Sequence, residues 1–430
     1  QVMFDQCKAL IIGLQKRGAV VGSSLNTAYL LERLSQTLER LKTLMAIFVS
    51  NRYLPRRILL LTGCFARAAA ERHSISRLWK QSSGLIARSV TQNAGDHGEH
   101  YITRDKKEYW AMFYSAAGGG VLIALMALFK TYLGSIIDDK VWKGLAEGLN
   151  YGFGFMVIFM LHFTVATKQP AMTAARFAEA VEKNPQGKTL NMKLAQLLVD
   201  VFRSQSVAVL GNVVVAMGLA ALIAFVYQHQ TGEPLMNSEK IAYQLHRIDP
   251  LDGSLWFAAI AGVWLFCSGI ISGYFDNRSN YLNMRMRLAQ HPLLKKLMSE
   301  KSRVKFANYM HENYGSLIGN FCFGMLLGLT GLVGYLTHLP LDIRHVAFSS
   351  ANLGYSAVSG QFAYPFFLQC IAFVLLIGLV NLMVSFSLTL WVALRSLNTE
   401  IDSWWAIWHE VCQIVRKRPL SLFFPVQLDK

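Results

Sequence analysis

Long runs of apolar residues without charge recur along the chain and alternate with stretches rich in Lys and Arg. A helix of about 20 residues crosses a hydrocarbon core of about 30 Å, so each run of that length predicts a transmembrane helix. The predicted spans are residues 110–129, 148–167, 207–227, 253–275, 315–337 and one within 362–394. Backbone groups in lipid must find partners within the chain, and the alternation of a β-barrel is missing. The pattern therefore predicts an all-α, polytopic membrane protein with about six transmembrane helices.

The composition agrees with this pattern. Hydrophobic residues make up 53% of the 430 residues and charged residues only 16%, so a water-soluble surface would be short of charge. The same figures exclude a disordered chain, a fibrous repeat and a secreted disulfide scaffold. We therefore expect a helical cytoplasmic region at 1–109, a transmembrane bundle at 110–394 and a cytoplasmic tail at 395–430.

Lys and Arg are distributed very unevenly among the segments that flank these runs. Of the 42 basic residues, 36 lie in segments 1–109, 168–206, 276–314 and 395–430. The other six lie in 130–147, 228–252 and 338–361. Because positively charged loops stay in the cytoplasm, both termini are predicted to be cytoplasmic. Most of the net charge of +16 then reflects membrane orientation, and we do not expect nucleic acid as a partner.

The N-terminal region carries a heptad-like apolar stripe, which lies within residues 25–48. Its members are Leu31, Leu34, Leu38, Leu41, Met45 and Phe48. Such spacing is typical of a helix with one apolar seam. Two structures fit it: a helical hairpin with a second helix after Pro55, or a coiled coil that binds another copy or a partner protein.

Two further segments predict contact with the membrane surface. The loop around 278–314 interleaves basic residues with leucines, which is typical of an amphipathic segment on anionic lipid. In the tail, three tryptophans precede the basic run 416–418, a pattern that indicates an interfacial helix. These are Trp404, Trp405 and Trp408.

The fifth span contains small residues at intervals of three to five. These are Gly315, Gly319, Gly324, Gly328, Gly331 and Gly334. Small residues let helix backbones approach closely in lipid. The spacing therefore predicts tight packing, and the alternative is a hinge or a narrow permeation path.

The segment 339–353 is the most suggestive part of the external regions. Asp342 is placed to cap a short helix that begins near Ile343 and continues to about Val358. That helix is too short to cross a bilayer. It either re-enters among the spans as a half-helix or lies on the periplasmic surface. Four polar residues of this segment are candidates for binding a ligand: Asp342, Arg344, His345 and Asn352.

Polar residues inside the spans are the second source of candidates, because they are costly in lipid unless they are satisfied or functional. Lys130 stands at the outer end of the first span. A hydrogen bond between helices is the structural role expected for Asn212, Asn320 and Asn381. Asn320 and His162 complete the predicted ligand-binding set, and His162 could also change charge near neutral pH.

Sequence motifs for catalysis are missing. There is no Walker A loop, no dinucleotide-binding GxGxxG, no HExxH and no GxSxG. His97, Glu99 and His100 form a weak candidate metal site, or else a polar turn. We therefore predict no catalytic residue and no cofactor, and whether the chain is an enzyme stays open.

Several stretches resemble a bacterial family catalogued as "site-specific recombinase" (the Gcr-like group). They are GEHYITR at 98–104, AAGGG at 116–120, TKQPAMTA at 167–174, GYFDNR at 273–278, QHP at 290–292 and residues 339–353. The resemblance implies a Gram-negative inner-membrane protein with an association with DNA rearrangement, and it supplies no catalytic residues. Members of that family tend to be longer at the N-terminus, which implies that this chain is the C-terminal part of one.

Three functions are therefore in question. The first is transport or an envelope role, with a ligand among the Gly-rich spans and the 339–353 segment. The second is a membrane scaffold that recruits partners through residues 25–48. Recombination of DNA is disfavoured, because no HxxR box occurs and the last three tyrosines fall in membrane or external segments. Those tyrosines are Tyr335, Tyr355 and Tyr364.

Overall fold

A computed structural model describes residues 2–21, 25–48, short pieces between 55 and 66, residue 103, and ranges 105–165, 188–396 and 403–425. Within these residues the chain forms α-helices and short 3-10 turns and no strand, so the all-α prediction is confirmed. The helices are α1 (Val2–Val21), α2 (Leu25–Phe48), α3 (Lys106–Ile136), α4 (Lys140–Met160), α5 (Lys188–Thr231), α6 (Ser238–Ile248), α7 (Ser254–Tyr281), α8 (Met284–Gln290), α9 (Pro292–Leu297), α10 (Glu300–Thr337), α11 (Val346–Ser359), α12 (Tyr364–Ser396) and α13 (Trp404–Lys417).

The chain divides into two compact units. The first unit comprises residues 1–93, 273–314 and 395–397. The second unit comprises residues 94–272, 315–394 and 398–430. Each unit is described below by itself.

Five of the described helices are long and apolar enough to cross a membrane: α3, α5, α7, α10 and α12. They contain five of the six predicted spans and extend beyond the apolar runs. α5 covers 44 residues and α10 covers 38, although about 20 suffice to cross the hydrocarbon core. The polytopic class is therefore confirmed.

The sixth predicted span, 148–167, corresponds to α4, which is shifted toward the N-terminus. α4 begins at Lys140, where Asp139 accepts hydrogen bonds from the amides of Val141 and Trp142, and it ends at Met160. The chain then turns through His162, whose φ is +58°. α4 carries Lys140, Lys143 and Glu147 among its first eight residues, and it is not one of the five helices that are long and apolar enough to cross a membrane.

In the first unit, α1 and α2 pack against each other, and Lys8 pairs with Glu39 across them at 3.1 Å. The predicted apolar stripe lies on α2, yet Leu34, Leu41 and Met45 are exposed. The predicted second helix after Pro55 falls mostly outside the described residues, so the hairpin that the structure shows is formed with the preceding helix.

In the second unit, α10 packs against α4 through its glycines. A Cβ at Gly324 would overlap the backbone of Tyr151, and a Cβ at Gly328 would overlap that of Gly148. Glycine is required there because the two backbones touch, and the prediction of tight packing is confirmed.

The short helix α11 is buried within this unit. Ten of its 14 residues are buried, and Tyr355 donates a hydrogen bond to the carbonyl of Ala124 in α3 at 3.0 Å. Gly354 lies against the Met217 carbonyl of α5. A helix on the periplasmic surface would expose one face, so the burial favours the alternative of a half-helix among the spans. Its start also differs from the prediction, since α11 begins at Val346 instead of near Ile343.

The helix α13 forms where the tryptophans predicted it. Ile407 and Val411 are buried against Leu194 and Val199 of α5, whereas the three tryptophans are 49% to 78% exposed. The exposed tryptophans leave α13 with the amphipathic character that an interfacial helix requires.

Candidate functional site

A cavity of about 520 Å³ lies in the second unit, where α3 ends and α4 begins. α6, the C-terminal part of α10 and the segment before α11 form its other walls. Its apolar lining includes Met236, Leu327, Leu332 and Leu341, and the volume is within the range of small-molecule sites. The cavity is therefore large enough for an organic ligand.

The charged lining of the cavity is strongly cationic. Five basic side chains face it against two carboxylates, Glu147 and Asp342. The basic residues are Lys130, Lys140, Lys143, Lys240 and Arg247. A small adjoining pocket shares Lys130 and Arg247 with the cavity and adds Arg344.

These six cations are all the Lys and Arg residues of segments 130–147, 228–252 and 338–361. The segments that the sequence marks as poor in basic residues thus bring every one of them to a single place. Low-dielectric walls around charges of one sign focus the potential and attract a ligand of opposite sign.

Asp342 lies at the centre of an ion network. One carboxylate oxygen lies 2.6 Å from Nη1 of Arg344, and the other lies 3.4 Å from Nη2 of Arg247. Burial opposes ionisation, but the two guanidinium groups outweigh it and lower the pKa of Asp342 to about 2. Asp342 was predicted to cap a helix that begins near Ile343. Its Oδ1 does accept a hydrogen bond from the backbone amide of Ile343, but this residue lies in the segment before α11 and not in the helix. Asp342 is thus ionised at neutral pH and holds two arginines together.

Arg344 fastens this segment to its neighbours. Its Nε donates to the carbonyl of Arg247 at 2.7 Å, and its backbone amide donates to the carbonyl of Phe257 at 3.2 Å. The guanidinium carbon also lies 4.9 Å from the centroid of the Phe257 ring. Because these groups occupy Arg344, we assign it a positioning role toward the cavity.

Asn381 fixes the break in the chain before α11. Its side-chain amide donates to the carbonyls of Ala258 and Arg344 at 2.7 and 2.9 Å, and its oxygen accepts the amide of Val346 at 3.1 Å. The predicted interhelical hydrogen bond of Asn381 is confirmed. That of Asn212 is also confirmed, since its side chain on α5 donates to the carbonyl of Ala116 in α3. The same amide donates to the carbonyl of Thr164 in the segment after α4 at 2.9 Å.

His345 is 1% exposed and lies among aromatic rings. The centroids of Phe323, Phe348 and Phe155 are 5.9, 6.0 and 6.3 Å from that of the imidazole. Burial lowers the pKa of His345 to about 4, so the ring is neutral near pH 7. It lines the small adjoining pocket, together with Asn352.

The structure brings together four of the predicted ligand-binding residues, namely Asp342, Arg344, His345 and Asn352. It places the other two elsewhere. His162 is exposed at the turn after α4, where its carbonyl accepts the hydroxyl of Ser115, and the amide of Asn320 donates to the Ser316 carbonyl of its own helix. Neither residue lines the cavity or its adjoining pocket, so the structure does not bring them to this site, and a ligand-binding role for them stays a prediction.

The candidate metal ligands His97, Glu99 and His100 lie outside the described residues. Sequence reasoning also missed five cavity residues as a set: Lys130, Lys140, Lys143, Lys240 and Arg247. The signal that could have found them was the Lys and Arg count, which separated these five and Arg344 from the other 36 basic residues.

The comparisons with known proteins concern the whole chain. No curated protein and no solved structure matches it. The family model described as "Site-specific recombinase" matches residues 1–425, which is nearly the full length. The chain therefore belongs to the site-specific recombinase family.

Proposed function

We propose that this protein is an integral inner-membrane protein that binds an anionic ligand in the cationic cavity, in a transport or envelope-lipid role. The observation that carries the proposal is the convergence of all six basic residues of segments 130–147, 228–252 and 338–361 on the cavity and its small adjoining pocket. The glycine contacts of α10 and the buried half-helix α11 supply its walls, as is common where a ligand binds among membrane helices.

In this proposal α4 is the sixth crossing. Asn150 of α4 donates to the carbonyl of Met126 in α3, and the amide of Thr164 donates to the carbonyl of Ser115. The two helices are thus antiparallel, and Lys143 lies beside Gly134 near the opposite end of α3. The stretch of α3 from Ser115 to Gly134 is roughly 30 Å of helix, about the thickness of the hydrocarbon core. With six crossings both termini lie on the same side of the membrane, and the excess of Lys and Arg in the segments on that side supports the cytoplasm for the termini and the periplasmic side for the cavity.

The proposal is tested with purified protein in proteoliposomes, by anion flux and by retention of anionic lipid. Asp342→Ala and Arg344→Ala remove the charges that order the cavity wall, so both variants should lower flux or retention severalfold. Glu300→Ala and Arg17→Ala are matched controls, because they change the same charges at exposed positions that do not line the cavity. Unchanged flux and retention in both cavity variants, with all four proteins folded, would count against the proposal.

A second candidate function is a membrane scaffold that acts through residues 25–48. The observation in its favour is the exposure of Leu34, Leu41 and Met45 on α2. It predicts homo-oligomerisation or capture of a protein partner that is lost when residues 25–48 are deleted, while the membrane part stays folded. Retained association after this deletion would exclude it.

The Lys/Arg-rich segment between α7 and α10 supports contact with anionic lipid. Met286, Leu293 and Leu297 are exposed on α8 and α9 among basic side chains. Each basic residue near an anionic surface contributes about 1 kcal/mol of attraction. We propose that this segment lies on the cytoplasmic leaflet.

The family name makes DNA recombination the remaining candidate. It predicts DNA binding that weakens steeply with salt, and strand exchange by the purified protein. Neither activity is expected if the cavity is the functional site, so both assays separate the two functions.

A further inference from the structure

The cations of the cavity and its adjoining pocket fall into two groups, which differ in whether a carboxylate is paired with them. Lys130 pairs with Glu147 at 3.0 Å, and Asp342 pairs with Arg247 and Arg344. Lys140, Lys143 and Lys240 have no carboxylate within 4 Å in the part of the chain that the structure describes. Asp342 balances only one of its two arginines, so that network keeps one positive charge. The larger part of the positive charge left for a ligand resides on the three lysine ammonium groups.

Two of these lysines are held in place by neighbouring helices. The Lys140 ammonium lies 4.2 Å from the centroid of the Tyr335 ring of α10. Lys143 crosses to α3, where its Nζ lies 3.1 Å from the position that a Cβ on Gly134 would take. The missing side chain at Gly134 thus leaves room for the ammonium, and α3, α4 and α10 together position these two charges.

Two of the three lysines lie at helix N-termini, where a positive charge destabilises the helix. Lys140 is the first residue of α4, and Lys240 lies in the first turn of α6. A helix N-terminus carries a partial positive charge, so cations there are unfavourable and an anion is favourable. The arrangement is understandable if the cavity holds an anion, whose charge offsets both contributions.

The kind of free cation points to the kind of anion. A carboxylate is planar and is best bound by one arginine through two parallel hydrogen bonds, but Arg247 and Arg344 are occupied by Asp342. A phosphoryl group carries up to two charges on oxygens that point in several directions, which suits separate lysine ammonium groups. The cavity of about 520 Å³ leaves space beside such a group for an organic part against its apolar lining.

We propose that the cavity binds a phosphoryl group carried by an organic molecule, through Lys140, Lys143 and Lys240. This inference rests on the proposed function and names its ligand class. The phosphoryl group belongs either to a lipid headgroup or to a soluble phosphate ester, and the chemistry that the lysines recognise is the same.

The experiment uses the full chain and two phosphoryl probes. Inorganic pyrophosphate is titrated calorimetrically against the protein in detergent, and phosphatidate retention is measured by native mass spectrometry from phosphatidylcholine nanodiscs with and without phosphatidate. At least one probe should bind the wild-type protein. Phosphatidate binding alone indicates a lipid headgroup, pyrophosphate binding alone indicates a soluble ester, and binding of both supports the shared chemistry.

The variants test whether the three lysines form the site. The triple variant K140Q/K143Q/K240Q should bind at least tenfold more weakly, whereas K140R/K143R/K240R should retain most of the affinity. The triple variant K106Q/K107Q/K193Q is the matched control, since it removes the same charge at exposed positions that do not line the cavity and lie outside the segment between α7 and α10. Equal weakening in the cavity and control variants, or none in either, would overturn the proposal; thermal unfolding confirms that each variant is folded.

Citrate separates this inference from the proposed function. If citrate binds as tightly as pyrophosphate and depends equally on the three lysines, the cavity is a general anion site and the phosphoryl assignment is wrong. If citrate and both phosphoryl probes all fail to bind, the anion cavity itself is refuted.

Discussion

At the scale of single residues, the fold around the cavity depends on polar side chains that satisfy the backbone where helices break. The side chain of Asn381 bonds to three backbone groups, from Ala258, Arg344 and Val346. Asp342 joins two arginines from different elements. Both side chains hold the same short segment before α11, so a substitution at either residue should lower the stability of the protein.

Asn381→Leu should lower the free energy of unfolding by about 3 kcal/mol, because it leaves buried backbone groups without partners at roughly 1–3 kcal/mol each. Equilibrium unfolding in mixed detergent micelles measures this. Asn313→Leu is the control, since Asn313 bonds only to the Tyr309 carbonyl of its own helix among the contacts that the structure shows, and should lose less than about 1 kcal/mol. Equal losses in the two variants would contradict the pinning role of Asn381.

Asp342→Asn should destabilise the protein at pH 7 by about 1–2 kcal/mol, a value reduced for partial exposure of the carboxylate. The pKa of Asp342 is about 2 in the folded protein and 3.8 in its ordinary state, so the ionised form favours folding. The stabilisation that the ionised Asp342 carboxylate contributes is complete above about pH 4 and is lost as the pH falls toward 2. The difference between wild type and variant should therefore be constant from pH 5 to 8, and a difference that grows across this range would contradict the assignment.

Some residues of the site could be predicted from the sequence, and others could not. Asp342, Arg344, His345 and Asn352 stand close together in one segment, where polar groups flank a short apolar helix. The three free lysines lie on α4 and α6, nearly 100 residues apart along the chain, and only the packing of the helices brings them together. His162 and Asn320 do not line the cavity, and their position relative to it could not be predicted, because the identity of a polar residue does not reveal which partners the fold gives it.

At the scale of elements, helix packing in the second unit is set by positions without a side chain. α10 approaches α4 at Gly324 and Gly328, where the two backbones are in contact. This contact was predictable from sequence, because glycines at helical spacing in a membrane span are typical of close helix packing. The bounds of α4 were not predictable, since charged and apolar residues are mixed in that helix.

Gly324→Ala should lower the free energy of unfolding by about 1–3 kcal/mol, because the added methyl group must displace backbone of α4. Gly218→Ala is the matched control on α5, where a Cβ would meet nothing within 4 Å. The control should be neutral or stabilising by up to about 1 kcal/mol, as expected for alanine in a helix. Similar effects in both variants, measured by thermal unfolding in detergent, would contradict the close contact.

At the scale of the whole molecule, the all-α class and the five apolar helices followed from the hydrophobic pattern, because the membrane fixes both length and composition of a span. The orientation of the termini depends on whether α4 completes a sixth crossing. The uneven distribution of Lys and Arg supports six crossings, but it is a property of the flanking segments and does not itself count helices.

A cysteine-accessibility experiment tests this topology. In a variant without its six native cysteines, a single cysteine at Glu239 should react with a membrane-impermeant maleimide added to intact spheroplasts. A single cysteine at Ser302 should react only after the membrane is opened. Reaction of both from the same side would refute the six-crossing topology.

Because the Lys and Arg residues of segments 130–147, 228–252 and 338–361 gather at the cavity, the charged residues elsewhere in these segments are acidic. Outside the cavity, segments 130–147, 228–252 and 338–361 keep six carboxylates and no Lys or Arg. These are Asp138, Asp139, Glu233, Glu239, Asp249 and Asp252. A negatively charged solute that approaches these segments is repelled by the acidic surroundings and attracted only at the opening. The capture rate of such a solute should therefore fall as ionic strength rises, because screening weakens the attraction that guides it to the entrance.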